Sequence, residues 1–310
     1  MKKKSIIVTI LLVVIGLATI PLLESINIKQ KIILIHTVSY SNAAVFETIL
    51  NYPNLIDEKF IPDPAKHPET LLSESKRGCA VSVTPFANAL IAVQREPKLR
   101  IIAGSGLNGI SMIGRTVSTA TDLKGKKIGT SKGDSLEVFA IELMDKAGVQ
   151  LGDYELIYFS DPFEAVEAIK AARIDAVTHV EPFATVLVDD NAMKRIGTSE
   201  QLWGTHPDAI LLTTESCLAE HRAELEWLIK ALKEAEKTIK DEPDKVAENL
   251  AKTFYNMPAE NLLRILKRQS PRIDIREYEG FLLERYETLR RIKYVDGPLR
   301  SDAFDWSLLK

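Results

Sequence analysis

The feature that most constrains the fold is the run from Asp122 to Ala140, DLKGKKIGTSKGDSLEVFA, which reads as turn, strand, glycine-containing loop and helix start without interruption. Lys124-Gly125 supplies a tight corner, since glycine tolerates the positive φ such corners often need, and Lys126 to Thr130 has the length of a short buried strand. Asp134 stands where a helix N-cap belongs, and Glu137 follows three residues later at capping-box spacing. The loop Ser131-Lys132-Gly133 is thereby fixed between the carboxyl end of a strand and the amino end of a helix. Small molecules bind at that junction in open α/β sheets, because free N–H groups and the helix dipole point into the crevice.

The same alternation extends to both sides. Lys31 to Thr37 is a continuous apolar run of buried-strand length, Val38 to Asn42 a polar loop, and Ala43 to Leu50 a helix. Prolines 53, 62, 64 and 68 restrict the next segment to turns, one short strand near Phe60-Ile61 and a helix start before Leu71. Strands follow at Ala80 to Val83 and Leu99 to Ala103, separated by a helix that opens at Thr84-Pro85-Phe86. This order implies a mostly parallel sheet with ligand-facing loops at Ser39 to Asn42, Thr84 to Phe86 and Gly104 to Asn108. Ile113 to Ala120 is less patterned and is read as a first crossing into a second lobe. There, strands at Lys126, Glu155 to Phe159 and Ala176 to His179 alternate with helices over Ser135 to Ala147 and Pro162 to Ala172. Glu181-Pro182-Phe183 opens another helix, and the turn Gly204 to Pro207 before the strand Ala209 to Thr213 is read as the return crossing. Four helices close the chain: Ala219 to Lys240, Asp244 to Phe254, Ala259 to Lys267 and Ile275 to Ile292. The first carries Leu225, Leu228, Ile229, Leu232 and Ala235 at helical spacing.

With 310 residues, 45% of them apolar, the chain can bury one large core or two modest ones. Its 40 basic and 43 acidic residues are interspersed, and the net charge of −3 leaves no basic stripe for nucleic acid. Lys2, Lys3 and Lys4 precede an apolar run from Ser5 to Leu23, the pattern of an export signal or, if uncleaved, a membrane anchor. The positive-inside rule then sends the remainder out of the cytoplasm. Cys79 and Cys217 are the only cysteines. One disulfide is compatible with that address, but nothing in the sequence brings the two together, so free buried thiols are expected.

In the order Asp122 to Ala140, DPFEAVEAIKAARIDAV from Asp161 and EPFATV from Glu181, the chain resembles the substrate-binding proteins of ABC importers. It is most similar to the group that captures taurine, aliphatic sulfonates, nitrate and thiamine-pyrimidine precursors, from about Lys31 onward. The resemblance implies an α/β, two-lobed periplasmic-binding-protein-like fold of type II, each lobe a mixed, mostly parallel sheet flanked by helices. Its expected divisions are a signal or anchor over 1–26, the first part of lobe 1 over 27–116, lobe 2 over 117–208, and a return to lobe 1 over 209–310. It also implies a monomer outside the cytoplasm that takes a small-molecule ligand, requires no cofactor, and meets a permease and its ATPase.

No Gly-x-Ser-x-Gly elbow, phosphate loop or His-Glu-x-x-His helix is present, and the five histidines lack metal-ligand spacing. The expected contacts are therefore binding contacts. From lobe 1 these are Ser39, Asn42, Thr84, Ser105 and Gly106, with Tyr40, Pro85 and Phe86 as walls. From lobe 2 they are donors at Lys132, Gly133 and Ser135, the cap Asp134, an acceptor at Glu181, and a wall at Phe183. His206 is added from the return turn. Asp134 and Glu137 oppose an anion at that helix start, and Glu181 favours an amino group, so the ligand leans toward an aminated pyrimidine precursor or a zwitterionic sulfonate. An enzyme on the same scaffold and the sensing module of a receptor are the competing readings.

Overall fold

The computed structural model describes residues 30–36, 42–61, 68–191, 193–255 and 257–310. The expected signal or anchor, and Ser39 and Tyr40, lie outside the described residues. Within them, strands β1 (Ile32–His36), β2 (Ile56–Phe60), β3 (Ala80–Pro85) and β4 (Leu99–Leu107) are followed by β5 (Ser111–Gly114), β6 (Lys127–Thr130) and β7 (Glu155–Tyr158). The last three are β8 (Ala176–His179), β9 (Lys194–Thr198) and β10 (Pro207–Thr214). They form two five-stranded sheets, ordered β2-β1-β3-β10-β4 and β7-β6-β8-β5-β9.

Every residue of β1 is buried, as its unbroken apolar sequence requires of a strand covered on both faces. It pairs in parallel with β2 and β3, while β10 enters antiparallel between β3 and β4. In the second sheet β6, β7 and β8 are parallel, and β5 runs antiparallel between β8 and β9. Both sheets are therefore mixed, with the reversal supplied by the last strand, β10, in the first and by the earliest, β5, in the second.

The chain leaves the first sheet after Leu107 and pairs in the second by Ser111. Ile113 and Gly114, assigned by sequence to the crossing in lobe 1, thus sit inside the second sheet between β8 and β9. A Cβ on Gly114 would lie 2.5 Å from the Val117 carbonyl, so this close turn tolerates only glycine. The return passes through helix α7 (Ser199–Trp203) into β10.

Cys79 and Cys217 form a disulfide, contrary to the expectation of free thiols. Their juxtaposition depends on the return strand: β10 pairs Thr213 with Val81, which sets the first turn of helix α8 (Glu215–Glu220) beside the entrance to β3. The two Cα atoms are 5.1 Å apart although 138 residues separate them in sequence.

Two hydrophobic clusters flank the first sheet. One buries the apolar stripe of helix α9 (Arg222–Asp241), including Leu225, Leu228 and Leu232, against β1, β3 and helix α1 (Ala43–Asn51). The other crosses between the two halves of the molecule. It joins Phe86 and Leu90 of helix α3 (Phe86–Arg95), Val138 and Phe139 of α4 (Ser135–Lys146), and Leu282, Tyr286 and Leu289 of α12 (Glu279–Arg291).

Candidate functional site

Parallel strands bring their carboxyl ends to one edge, and the two sheets turn those edges toward each other around a cleft of about 530 Å³. From the first sheet it is lined by Asn42, by Thr84 and Pro85 at the end of β3, and by Asp208 at the start of β10. Because β10 is antiparallel, its first residues lie beside the last of β3, with Ala209 paired to Pro85. The second sheet contributes Ser131 and Asp134 after β6, Phe159 to Phe163 after β7, and Thr178 to Val180 at the end of β8.

The far wall is aromatic. His179 packs on Phe183 with ring centroids 4.3 Å apart, and Phe183 meets Phe163 edge to face at 5.2 Å. His179 Nδ1 accepts from the Val180 N–H at 3.0 Å, while Nε2 lies 3.2 Å from the Pro162 carbonyl oxygen and so donates to it. Burial holds this ring at a pKa of about 4, so it is neutral at physiological pH. Phe163 and Phe60 stay 64% and 56% exposed, presenting apolar faces from opposite halves. The hydroxyl oxygen of Thr84 is buried without a hydrogen-bond partner among the described residues. In a lining position, that leaves it the capacity to bond a solute.

Among the described residues, the charged side chains that line the cleft are carboxylates. Asp134 caps α4 by accepting from the Leu136 N–H at 3.0 Å, and Asp161 caps helix α5 (Pro162–Lys170) by accepting from Phe163 N–H at 2.8 Å. Asp208, 3% exposed, accepts from Gln269 Nε2 at 3.1 Å. No lysine or arginine lines the cleft among the described residues.

Of the residues expected from sequence, Asn42, Thr84, Pro85, Asp134 and Phe183 line this cleft. The other expected residues that are described are placed elsewhere, each for a visible reason. Phe86 turns its ring into the core between Trp203 and Phe281. Ser105 and Gly106 are not in a loop, because β4 runs on to Leu107 and its outer edge is covered by the segment 270–275. That segment bonds Gly104 N–H to Ile273 and Leu107 N–H to Ser270. Lys132 extends from the opposite side of its loop, with Nζ 5.6 Å from the centre of the Tyr158 ring. The Gly133 N–H is taken by Glu137 Oε2 at 2.6 Å, and Ser135 Oγ accepts from the Ala87 N–H of the other half at 3.1 Å.

Glu181 is buried and turned from the cleft, accepting from the Thr185 N–H at 3.0 Å and lying 3.5 Å from both Arg195 and Arg268. His206 is packed beneath the return crossing, stacked on Phe281 with centroids 5.2 Å apart. Glu137 does not complete a capping box with Asp134. Its carboxylate accepts from Gly133 N–H and from the Tyr158 and Tyr294 hydroxyls at 2.7 and 2.8 Å. Both phenol pKa values are raised, chiefly by burial and further by that carboxylate.

Sequence reasoning missed Phe159, Asp161, Phe163, Thr178, His179 and Asp208. The signal for the first five was available, since the rule applied at the ends of β3 and β6 applies equally at the ends of β7 and β8. Asp208 has no local signal, because only the antiparallel return of β10 carries it to the cleft.

The model of the NMT1-like family matches residues 63–254. Proteins of Brucella abortus strain 2308 and Brucella suis biovar 1, each named as a candidate binding protein, are 27% identical over 173 residues. The match covers 53% of this chain and spans about half the length of those relatives, 52%. Among solved structures, the alkanesulfonate-binding protein SsuA of Xanthomonas axonopodis pv. citri, bound to MOPS, superposes with a TM-score of 0.74 at 16% identity. That likeness covers 89% of this chain and 98% of SsuA. The ligand-binding component of an ABC-type import system from Staphylococcus aureus, with zinc bound, gives 0.77 at 13% identity, covering 90% and 97%. The periplasmic nitrate-binding protein NrtA of Synechocystis PCC 6803 gives 0.75 at 14%, covering 91% and 88%. The fold is thus that of the periplasmic binding proteins, and the chain belongs to the NMT1-like family.

Proposed function

We propose that this chain is the extracytoplasmic substrate-binding component of an ABC importer, which captures a small organic solute in the cleft and hands it to a permease driven by a cytosolic ATPase. The observation that carries this reading is the cleft itself, which receives side chains from the carboxyl edges of both sheets in a chain of this fold. Its volume of about 530 Å³ is that of a small-molecule pocket. The residues 30–107 and 207–310 act as one lobe and 111–198 as the other.

Capture without chemistry fits the lining. His179, the histidine in the described wall, holds both ring nitrogens in backbone hydrogen bonds, which leaves neither to shuttle a proton. The Cys79–Cys217 disulfide supports an oxidising compartment, and the segment Lys2 to Leu23 supplies the export signal or anchor.

Native mass spectrometry of the full-length protein purified from its own cells should find one co-purifying small molecule released on unfolding. Readdition of that molecule should raise the melting temperature saturably. Turnover of the solute by the isolated protein, or recovery of the protein in the cytosolic fraction, overturns the reading.

A further inference from the structure

We propose a second binding site behind the cleft, a basic pocket with an apolar floor that takes an organic anion, a carboxylate carried on a short apolar chain. It does not depend on solute capture in the cleft, because other side chains build it.

The loop after β6 and the end of β7 each serve two cavities. Ser131 and Asp134 line the cleft, while Lys132 between them lines a separate pocket of about 480 Å³. Phe159 belongs to the cleft, and Tyr158 before it belongs to this rear pocket. That alternation follows from an extended chain, which turns successive side chains to opposite faces. Residues 291–294, at the end of α12 and just beyond it, complete the rear pocket, so both halves of the molecule build it.

The floor is aliphatic, formed by Ile141 of α4, Leu151, Leu156 of β7 and Ile292. Among the described residues, the exposed large apolar side chains are Phe60, Leu151, Tyr158, Phe163 and Leu283. Two of these, Phe60 and Phe163, line the cleft, and two more, Leu151 and Tyr158, line the rear pocket. Exposed apolar surface gathered into a concavity marks a place where something binds.

Three cations surround this floor: Lys132, Arg291 and Lys293. Arg291 donates one N–H to Asp145 at 2.6 Å and keeps further donors on its guanidinium. Lys132 Nζ lies over the Tyr158 ring, and neither it nor Lys293 pairs with a carboxylate among the described residues. Glu137, the acidic residue of the lining, is 3% exposed, and its oxygens accept from the Tyr158 and Tyr294 hydroxyls and the Gly133 N–H. With Asp145 set against Arg291 and Glu137 against Lys132, one positive charge is left over. Lys293 also stands where glycine is usual. Its N–H donates to Arg290 and the Tyr294 N–H to Leu289, closing α12 with a φ of 65° at Lys293, a conformation that glycine adopts with less strain. A carboxylate can accept from the ammonium groups and the guanidinium while its chain covers the aliphatic floor. Such a ligand ties the loop after β6 to the end of α12, across the two halves.

Hexanoate and hexanamide, matched in size and differing in charge, test this on the full-length protein by calorimetry. Hexanoate should bind saturably and at least about tenfold more tightly than the amide. Lys132→Gln and Lys293→Gln should each weaken hexanoate by about threefold, with little change in melting temperature because both side chains are exposed. A photoreactive diazirine analogue of hexanoate should label Leu151, Leu156 or Ile292, which separates this site from the cleft. Labelling confined to Phe159, Phe163 or Phe183 overturns the proposal. Equal or tighter binding of hexanamide, undiminished hexanoate binding by both variants, or no saturable hexanoate binding overturns it as well. Failure at the rear pocket leaves the reading of the cleft standing, because neither Lys132 nor Lys293 lines the cleft.

Discussion

Glu137 shows how one side chain joins local and distant structure. Its carboxylate receives the loop N–H of Gly133, the Tyr158 hydroxyl from β7 and the Tyr294 hydroxyl from the segment after α12. Replacing it by glutamine removes the charge and sets an NH2 group against donors, so Glu137→Gln should destabilise by about 3 kcal/mol. Tyr294→Phe removes one donor and should cost about 1 kcal/mol. Urea unfolding of the two variants checks the order, and equal effects would reject Glu137 as the shared acceptor. The capping residue Asp134 was legible because its partner is two residues away. The direction of Glu181 was not, because Arg195 and Arg268 from separate elements surround it. Two buried histidines contribute a pH dependence of stability. Burial lowers His179 and His206 from about 6.5 to about 4, so the unfolded chain protonates first as pH falls. Stability present above pH 6.5 should therefore be lost toward pH 4, by up to ~1.4 kcal/mol per pH unit for each ring. Thermal melts across that window should steepen with acid, and His179→Gln should flatten the slope. An unchanged slope would assign the acid sensitivity to other groups.

At the scale of elements, the strands with strong local signals were readable and those defined by pairing were not. β1 and β6 announce themselves by apolar run and turn, whereas β5 is four residues, Ser-Met-Ile-Gly, with little strand preference. It becomes a strand because β8 and β9 supply hydrogen-bonding partners on both sides. The cleft inherits the same division: the ends of β3 and β6 could be placed from sequence, while Asp208 required the sheet order. Pairing also explains the disulfide, whose closed loop contains the entire second sheet. Chain entropy alone assigns a loop of this length about 5 kcal/mol of stabilisation, an upper value where the reduced chain keeps structure. Reduction under native conditions should therefore lower the urea midpoint by an amount equivalent to several kcal/mol. Because neither cysteine lines the cleft, solute affinity below the unfolding transition should persist. Loss of affinity without unfolding would instead assign the bridge a role in shaping the cleft.

For the whole molecule, the two halves are joined unequally on their two flanks. On one, α12 lies across both α3 and α4, burying Leu282, Tyr286 and Leu289 in a cluster shared by the halves. Polar contacts reinforce it: Arg285 meets Glu142 at 3.1 Å and Arg291 meets Asp145 at 2.6 Å. On the other, helix α11 (Ala259–Arg268) reaches helix α6 (Phe183–Asn191) and its approach through Arg264–Asp189 at 3.1 Å and Arg268–Glu181 at 3.5 Å. Arg264 and Asp189 are both substantially exposed, and a pair of that kind contributes about 0–1 kcal/mol and weakens with salt, while the buried Glu181 keeps Arg195 as a partner when the exposed Arg268 withdraws. Separating the apolar flank would instead expose several large side chains, each worth roughly 1.5–3 kcal/mol when buried. Opening should therefore pivot about α12 while the α11 flank parts. Arg264→Ala combined with Arg268→Ala should increase the radius of gyration of the solute-free protein in small-angle scattering, and high salt should produce the same change in the unaltered protein. Leu282→Ala should lower stability by about 2–5 kcal/mol through the cavity it leaves, without a comparable expansion. An expansion seen only with Leu282→Ala would reverse the assignment and place the moving flank at α12.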